Sequence, residues 1–276
     1  MTSESGAVRS AGQVQDALGT WHRSVGTTVP RIVSLVPSIT ELLCDLGLAA
    51  YVVGRTGFCI HPHDLVQHIP KIGGTKDVNV EKIRRLAPTH LIVNIDENEK
   101  PCVERLAEFI PQVVVTHPQT LADNLALFDL LGTIFNVQDA AQKLRQQFQQ
   151  AIVELNASLP AAVASQRVLY CIWKDPWMTV SSGTYIADML AQIGWQVVHA
   201  GPTRYPVFSW SDQIVEQVDL ILLSSEPYRF TAQHVAGLEQ QTGIPVLLVD
   251  GEMMSWYGSR SIAGIYYLKH LLQGSA

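Results

Sequence analysis

From Arg31 onward, short β-branched apolar runs alternate with stretches in which apolar residues recur every three or four positions, the pattern of parallel strands joined by crossover helices. The runs predict strands at Arg31–Val36, Tyr51–Val53, His90–Asn94 and Val113–Thr116, then at Arg167–Ile172, Gln196–His199, Asp219–Leu223 and Val246–Asp250. After the first of these, Pro37-Ser38-Ile39-Thr40-Glu41 predicts a helix entered through a capping box, with Ser38 capping backbone N–H groups, Glu41 reaching back, and the helix running to Gly47. Between the fourth and fifth strands, Leu144, Phe148, Ile152 and Leu155 step by four, four and three. They line one face of a long helix that ends near Pro160.

The two halves repeat one another. Placing Leu43 on Leu190 puts Glu41 on Asp188, Leu42 on Met189, Leu46 on Ile193 and Gly47 on Gly194. Placing Leu91 on Leu220 puts Glu97 on Glu226, each just past the carboxyl end of a strand, and Ile110-Pro111 and Ile244-Pro245 each open a final strand. The expected architecture is α/β: two Rossmann-like lobes with parallel sheets joined by a long bridging helix. Its expected boundaries are a leader at 1–30, a lobe at 31–119, a bridging segment at 120–165 and a second lobe at 166–276. The leader has no clear element signal and is expected to be flexible, docking loosely at most.

Composition narrows the function. Hydrophobic residues at 47% and charged residues at 16% describe a folded chain rather than a disordered one. The net charge of −6 comes without any run of basic residues, which argues against a nucleic-acid partner. Apolar runs such as Ile221–Leu223 and Val246–Val249 fall far short of the roughly 18–20 residues of a membrane span. Residues 1–30 contain no apolar stretch of signal-peptide type, so the sequence as written points to the cytoplasm. Cys44, Cys59, Cys102 and Cys171 form no CxxC pair and are expected as free thiols.

Ligands of open α/β sheets bind outside the carboxyl ends of the strands, and clefts between domains are favoured sites. The loops at those ends carry Arg55 to His63, Asn94 to Asn98, Trp173 to Trp177, Ser224 to Tyr228, and Gly251 to Tyr257. Three of the six tryptophans fall there, which suits a large planar or amphipathic ligand held between lobes. The candidate ligand contacts are Phe58, His61, Lys76, Asn94, Glu97, Trp173, Asp175, Trp177, Glu226, Tyr228, Glu252, Trp256 and Tyr257. Each also has an ordinary reading: the tryptophans as packing aromatics, and the glutamates as solvated loop acids.

Cys59, His61 and His63 alternate, so an extended segment would turn all three to one side, as a zinc or iron site needs, but no fourth ligand stands at a standard spacing. A hydrogen-bonding or packing His61 is the competing reading. The segment Ile72-Gly73-Gly74-Thr75-Lys76 lacks the spacing of a phosphate loop and is expected as a turn at the edge of the cleft. GxSxG, HExxH, GxxxxGK[ST] and a GxGxxG after the first strand are all missing, so no catalytic residues are assigned. Two alternatives stay open: acid–base chemistry by Lys76, Glu97, Asp175, Glu226 and Glu252, or capture of a bare metal by His61, His63 and carboxylates.

Five motifs carry a resemblance: RIVSLVPSITE from Arg31 to Glu41, GGTKD from Gly73 to Asp77 followed by Asn79-Val80-Glu81, IWKDPWM from Ile172 to Met178, SEPY from Ser225 to Tyr228, and Asp250-Gly251-Glu252 with Trp256-Tyr257-Gly258. Over Arg31 to Leu272 the chain resembles the helix-bridged substrate-binding proteins of ABC importers, and among them the vitamin B12-binding type. The resemblance implies a monomeric, non-enzymatic protein that captures a corrinoid or related metal chelate, with no intrinsic cofactor. It implies aromatic contacts from Phe58, Trp173, Trp177 and Trp256. It also implies that Glu81 and Asp212 dock the two lobes onto arginines of a membrane permease. Exported members of that family are periplasmic, which departs from the cytoplasmic expectation for this sequence.

Overall fold

The computed structural model describes residues 12–160, 165–198 and 201–274. Residues 1–11 of the expected leader, 161–164 of the bridging segment, and His199 at the end of a predicted strand lie outside the described residues. The chain divides into two compact units. One takes the residues up to His117 together with Leu125–Arg145, and the other takes Pro118–Asn124 and the residues from Gln146 onward.

In chain order the elements are β1 (Gln13–Gln15), β2 (Trp21–Arg23), β3 (Ile32–Ser34), α1 (Pro37–Asp45), β4 (Val52–Arg55), α2 (His63–Val66), α3 (Val80–Arg85), β5 (His90–Asn94), α4 (Lys100–Ala107) and β6 (Gln112–Thr116). Two helices follow, α5 (Asp123–Ile134) and α6 (Gln138–Ser158). The second unit then adds β7 (Arg167–Trp173), β8 (Met178–Thr179), α7 (Tyr185–Ala191), β9 (Gln196–Val197), α8 (Asp212–Val215), β10 (Leu220–Ser224), α9 (Ala232–Thr242), β11 (Val246–Val249), α10 (Gly251–Ser255) and α11 (Arg260–Gly274).

The first unit holds a parallel sheet of order β4-β3-β5-β6, in which Val33 pairs with Leu91 and Leu91 with Val113. Its strands are apolar on both faces because helices cover both, and Val33, Leu35, Ile83, Leu91, Val93 and Leu106 belong to one buried cluster. The second unit repeats the order as β9-β7-β10-β11, with β8 added antiparallel to β7. Leu169, Cys171, Ile221, Leu223 and Val246 form its core with Phe208 and Phe230. The matched helices end alike. Gly47 donates to Cys44 and Leu48 to Leu43, while Gly194 donates to Ala191 and Trp195 to Leu190. Gly47 and Gly194 stand at φ 78° and 73°, the left-handed conformation that lets a chain leave a helix at little cost when the residue is glycine.

Each of the eight predicted strands has its counterpart, His90–Asn94 to the residue. The predicted bridging helix is present as α6, which stops two residues before Pro160. The division between the units falls inside it, after Arg145. Leu144, Phe148 and Leu155 are buried and Ile152 half-buried, as the spacing requires.

Two local expectations are corrected. The helix after β3 has no capping box: Val36 is the N-cap and makes no side-chain cap bond, and Pro37 with its preset φ takes the first helical position. Ser38 therefore lies two positions too late to cap, and among the described residues its buried hydroxyl has no hydrogen-bond partner. The leader is the second correction, because residues 13–23 form an antiparallel β1–β2 pair. Three-residue strands of mixed polarity leave no period to read. The order comes instead from the Asp16 carboxylate, which accepts from Leu18 N (3.0 Å), Thr20 N (2.9 Å), Val115 N (3.1 Å) and His22 Nε2 (3.0 Å). Burial alone would raise its pKa, and these bonds bring it below the ordinary carboxylate value.

Candidate functional site: the strand-end loops

Strands that run parallel release their following loops at one edge of the sheet, so each unit gathers its candidate residues at the carboxyl ends of its own strands. In the first unit, Phe58 and Ile60 follow β4 and stand exposed, Phe58 at 62%. The Gly73 to Asp77 segment is a tight turn beside them. Gly73 adopts φ 116°, a side chain there would come within 2.3 Å of the Asp77 carbonyl, and Gly74 N donates to that carbonyl at 2.7 Å. The Phe58 ring approaches Gly74, and Asn98 Nδ2 pins Thr75 O at 2.9 Å. Lys76, at the tip, is exposed.

Asn94 ends β5 with its side chain buried; it accepts from Asp96 N at 2.8 Å and holds the turn rather than pointing outward. Glu97 is half-buried in the same turn. His61 is half-buried and His63 exposed beside Asp64, whereas Cys59 is fully buried, with the hydroxyls of Thr40 and Thr56 each 3.1 Å from its sulfur. Burial pushes the Cys59 thiol pKa up. Backbone curvature in this loop breaks the alternation that an extended chain would have, and among the described residues no group of three His, Cys, Asp or Glu side chains could hold a metal ion.

The second unit carries an aromatic cluster at the ends of β7 and β10. Trp177 stacks on Phe230 (5.7 Å, 13°), meets Trp210 edge-on (5.4 Å) and lies beside Phe208 (6.2 Å). Tyr228 packs on Phe230 at 4.6 Å, and Trp173 meets Tyr228 edge-on at 5.6 Å. Such pairs each contribute about 0.5–1.5 kcal/mol beyond their buried area, which makes the cluster a rigid support. Trp173 leaves it 39% exposed. Asp175, exposed at φ 62°, turns the chain between the two tryptophans. The peptide bonds His61–Pro62, Asp175–Pro176 and Glu226–Pro227, all in strand-end loops, are cis.

Glu226 anchors a second group. Its Oε1 accepts from the indole N–H of Trp256 at 2.7 Å and from the Ser255 hydroxyl at 3.2 Å. Burial raises its pKa, these two bonds pull it back, and the neighbouring Glu252 and Asp250 add to the rise. Glu252 lies 3.8 Å from Arg260, whose guanidinium sits over the Trp256 ring at 5.3 Å. Trp256 and Tyr257 are thus buried, their rings inside the unit rather than at a rim. The backbone of Gly251 makes room for Glu226: a Cβ there would stand 2.5 Å from both Glu226 Cγ and Ser224 Oγ.

Phe208, Trp210, Phe230 and His234 join the aromatic cluster although none stands in the loops that the sequence pattern singles out for ligand contact. Phe208-x-Trp210 and Tyr228-x-Phe230 alternate as an extended segment's one face would, a signal too short, next to Pro206 and Pro227, to read as a strand. Glu81 and Asp212 both stand exposed in the first turns of α3 and α8, behind side-chain caps from Asn79 and Ser211. Glu81 lies 3.7 Å from Arg84.

Two α/β units of one strand order, each with aromatic and acidic side chains at its strand ends, have the architecture of a two-unit binding protein. Residues 32–245 match the Periplasmic binding protein family, and the chain belongs to it. This is a family of binding proteins that work with ABC permeases, not of enzymes. Among curated relatives, the vitamin B12-binding protein of Pectobacterium carotovorum subsp. carotovorum (strain PC1) is 23% identical over 232 residues, covering 83% of each chain. Among solved structures, the periplasmic vitamin B12-binding protein BtuF of Vibrio cholerae is similar at a TM-score of 0.71 and 19% identity, covering 88% of this chain and 96% of its own. The periplasmic haem-binding protein HutB of Vibrio cholerae is similar at a TM-score of 0.72 and 22% identity, covering 89% and 99%. At such identities the structural likeness establishes the fold.

Proposed function

We propose that this substrate-binding protein captures a corrinoid of the cobalamin type, a large metal chelate with an apolar ring and amide-bearing edges, for delivery to an ABC permease. The observation that carries the reading is the pairing of exposed aromatic rings with packed support behind them. Trp173 stands outside a five-ring cluster of Tyr228, Phe230, Trp177, Trp210 and Phe208, and Phe58 stands outside the Gly73–Asp77 turn. A flat macrocycle gains most from such rigid rings, since little side-chain entropy is lost on contact. His61, Lys76, Glu97, Asp175 and Glu226, at the same strand ends, supply polar partners for its edges, while Asn94 holds its turn. The curated relatives named as vitamin B12-binding favour a corrinoid; the structural likeness to haem-binding proteins makes haem the second candidate.

Titration of the full chain with cyanocobalamin, followed by tryptophan quenching and calorimetry, tests this. Saturable one-to-one binding, weakened by Trp173→Ala, supports it; binding of haemin with indifference to cyanocobalamin replaces the ligand. Glu81 and Asp212 are assigned to permease docking, because carboxylate–arginine pairs are strong, directional and reversible. Replacing both with alanine should leave solution binding intact and abolish stimulation of the permease's ATPase.

A further inference from the structure

Helix α9 opens on a capping box in which histidine occupies the third helical position, where an acid or amide is the usual partner. The backbone N–H of Thr231, the N-cap, donates to His234 Nδ1 at 3.0 Å, and the Thr231 hydroxyl lies 2.9 Å from the same nitrogen. A ring nitrogen that accepts an N–H bears no proton of its own, so the neutral imidazole is held as the Nε2–H tautomer. That N–H faces the Tyr228 hydroxyl at 3.4 Å. The ring stands edge-on to Tyr228 (5.7 Å, 86°) and Phe230 (5.4 Å, 87°). Tyr228 in turn meets the exposed Trp173.

The groups facing the imidazole are the Tyr228 hydroxyl and Phe230 from the loop after β10 and Thr231 from the start of its own helix. Among the described residues no carboxylate or cationic side chain forms an ion pair with it. With Nε2 donating to the Tyr228 oxygen, the phenolic proton is left free to donate elsewhere.

We propose that His234 is a positioning residue for ligand capture: its capped tautomer fixes Tyr228, and through it Trp173, and its protonation releases them. This rests on the reading that Trp173 and Tyr228 touch the ligand. When Nδ1 gains a proton it no longer accepts the Thr231 N–H and instead donates to the Thr231 hydroxyl oxygen, so the cap on that N–H is lost and the ring that braces Tyr228 turns. Ligand is then held less tightly in acid than at neutral pH.

The test uses the full chain, free of ligand and with cyanocobalamin as probe, between about pH 8 and about pH 5. His234→Gln keeps an acceptor for the Thr231 N–H and cannot be protonated, so it preserves the cap and removes the switch. His234→Ala removes both. Ring 15N shifts, with the His234 signals identified by their loss in His234→Gln, should show Nδ1 as the unprotonated nitrogen at the upper pH. Tryptophan emission of the free protein should change on acidification, and the part of that change due to Trp173 should vanish in His234→Gln and in Trp173→Phe. Cyanocobalamin binding should weaken roughly fivefold over the same range in the wild type, weaken at every pH in His234→Ala, and lose its pH dependence in His234→Gln. An Nδ1–H tautomer at the upper pH, or a Trp173-dependent emission change that survives in His234→Gln, overturns the proposal. Failure of cyanocobalamin to bind at any pH overturns the corrinoid reading alone, because the ring shifts and the emission of the free protein still decide the role of His234.

Discussion

Replacing Trp256 by phenylalanine keeps an aromatic ring in place and deletes the indole N–H that holds Glu226 Oε1 at 2.7 Å. A hydrogen bond to a charged group contributes about 1.5–3 kcal/mol, and the smaller ring adds a minor packing loss. The sign with pH follows from the raised pKa of Glu226, a carboxyl that burial makes reluctant to ionise. The folded state binds this proton more tightly than the unfolded state does, so stability falls as pH rises from the ordinary value of 4.5 through the raised one. Removing the Trp256 bond raises the pKa further and widens that window. The loss in Trp256→Phe should therefore be about 1.5–3 kcal/mol where Glu226 is ionised and fall to about 0.5–1.5 kcal/mol at pH 4.5, below its raised pKa, where the protonated carboxyl still accepts from the indole as a neutral partner. Urea unfolding of wild type and variant at pH 4.5 and above the raised pKa measures it, with 13C titration of the Glu226 carboxyl as a direct readout. Equal losses at the two pH values would show that the indole acts by packing and refute the reasoning.

Gly251→Ala forces a methyl into 2.5 Å contact with Glu226 Cγ and Ser224 Oγ and should cost about 1–3 kcal/mol, seen as a lowered melting temperature. Asp16→Ala leaves the buried His22 unpaired and frees the β1–β2 pair; amide exchange should rise at Leu18, Thr20 and Val115 before it rises in β5. The Asp16 contribution in the wild type is present above the ordinary carboxylate value of 3.8 and is lost as pH falls through the depressed one, so acid should release the same amides. Phe58→Ala and Trp173→Ala remove exposed rings and should shift stability by less than about 1 kcal/mol while weakening cyanocobalamin binding roughly tenfold or more. A large stability loss without a binding loss would make those rings structural.

Much of the fold was legible because a parallel strand covered on both faces announces itself: His90–Asn94 is buried at all five positions and reads as an unbroken apolar run save for its ends. The internal repeat was legible for the same reason, since Leu43 with Gly47 and Leu190 with Gly194 meet identical demands of burial and helix exit. The β1–β2 pair was not, because its order depends on one carboxylate whose donors lie up to 99 residues away. Trp256 illustrates the limit at the strand ends. Its place after a strand was readable, but that its ring turns inward to Glu226 depends on the clearance at Gly251, and no spacing encodes that. The aromatic cluster was half legible: Trp173, Trp177 and Tyr228 sit in recognisable loops, whereas Phe208 and Trp210 arrive from an alternation too short, after Pro206, to read as a strand.

Equilibrium binding of cyanocobalamin to the purified full chain, with haemin and a ferric siderophore in parallel, identifies the ligand. Saturable one-to-one binding of cyanocobalamin, tighter than that of the other two and weakened by Trp173→Ala, is the expected result. Saturable binding of haemin or the siderophore with none of cyanocobalamin would contradict the corrinoid assignment, and binding of none of the three would contradict capture of a large metal chelate altogether.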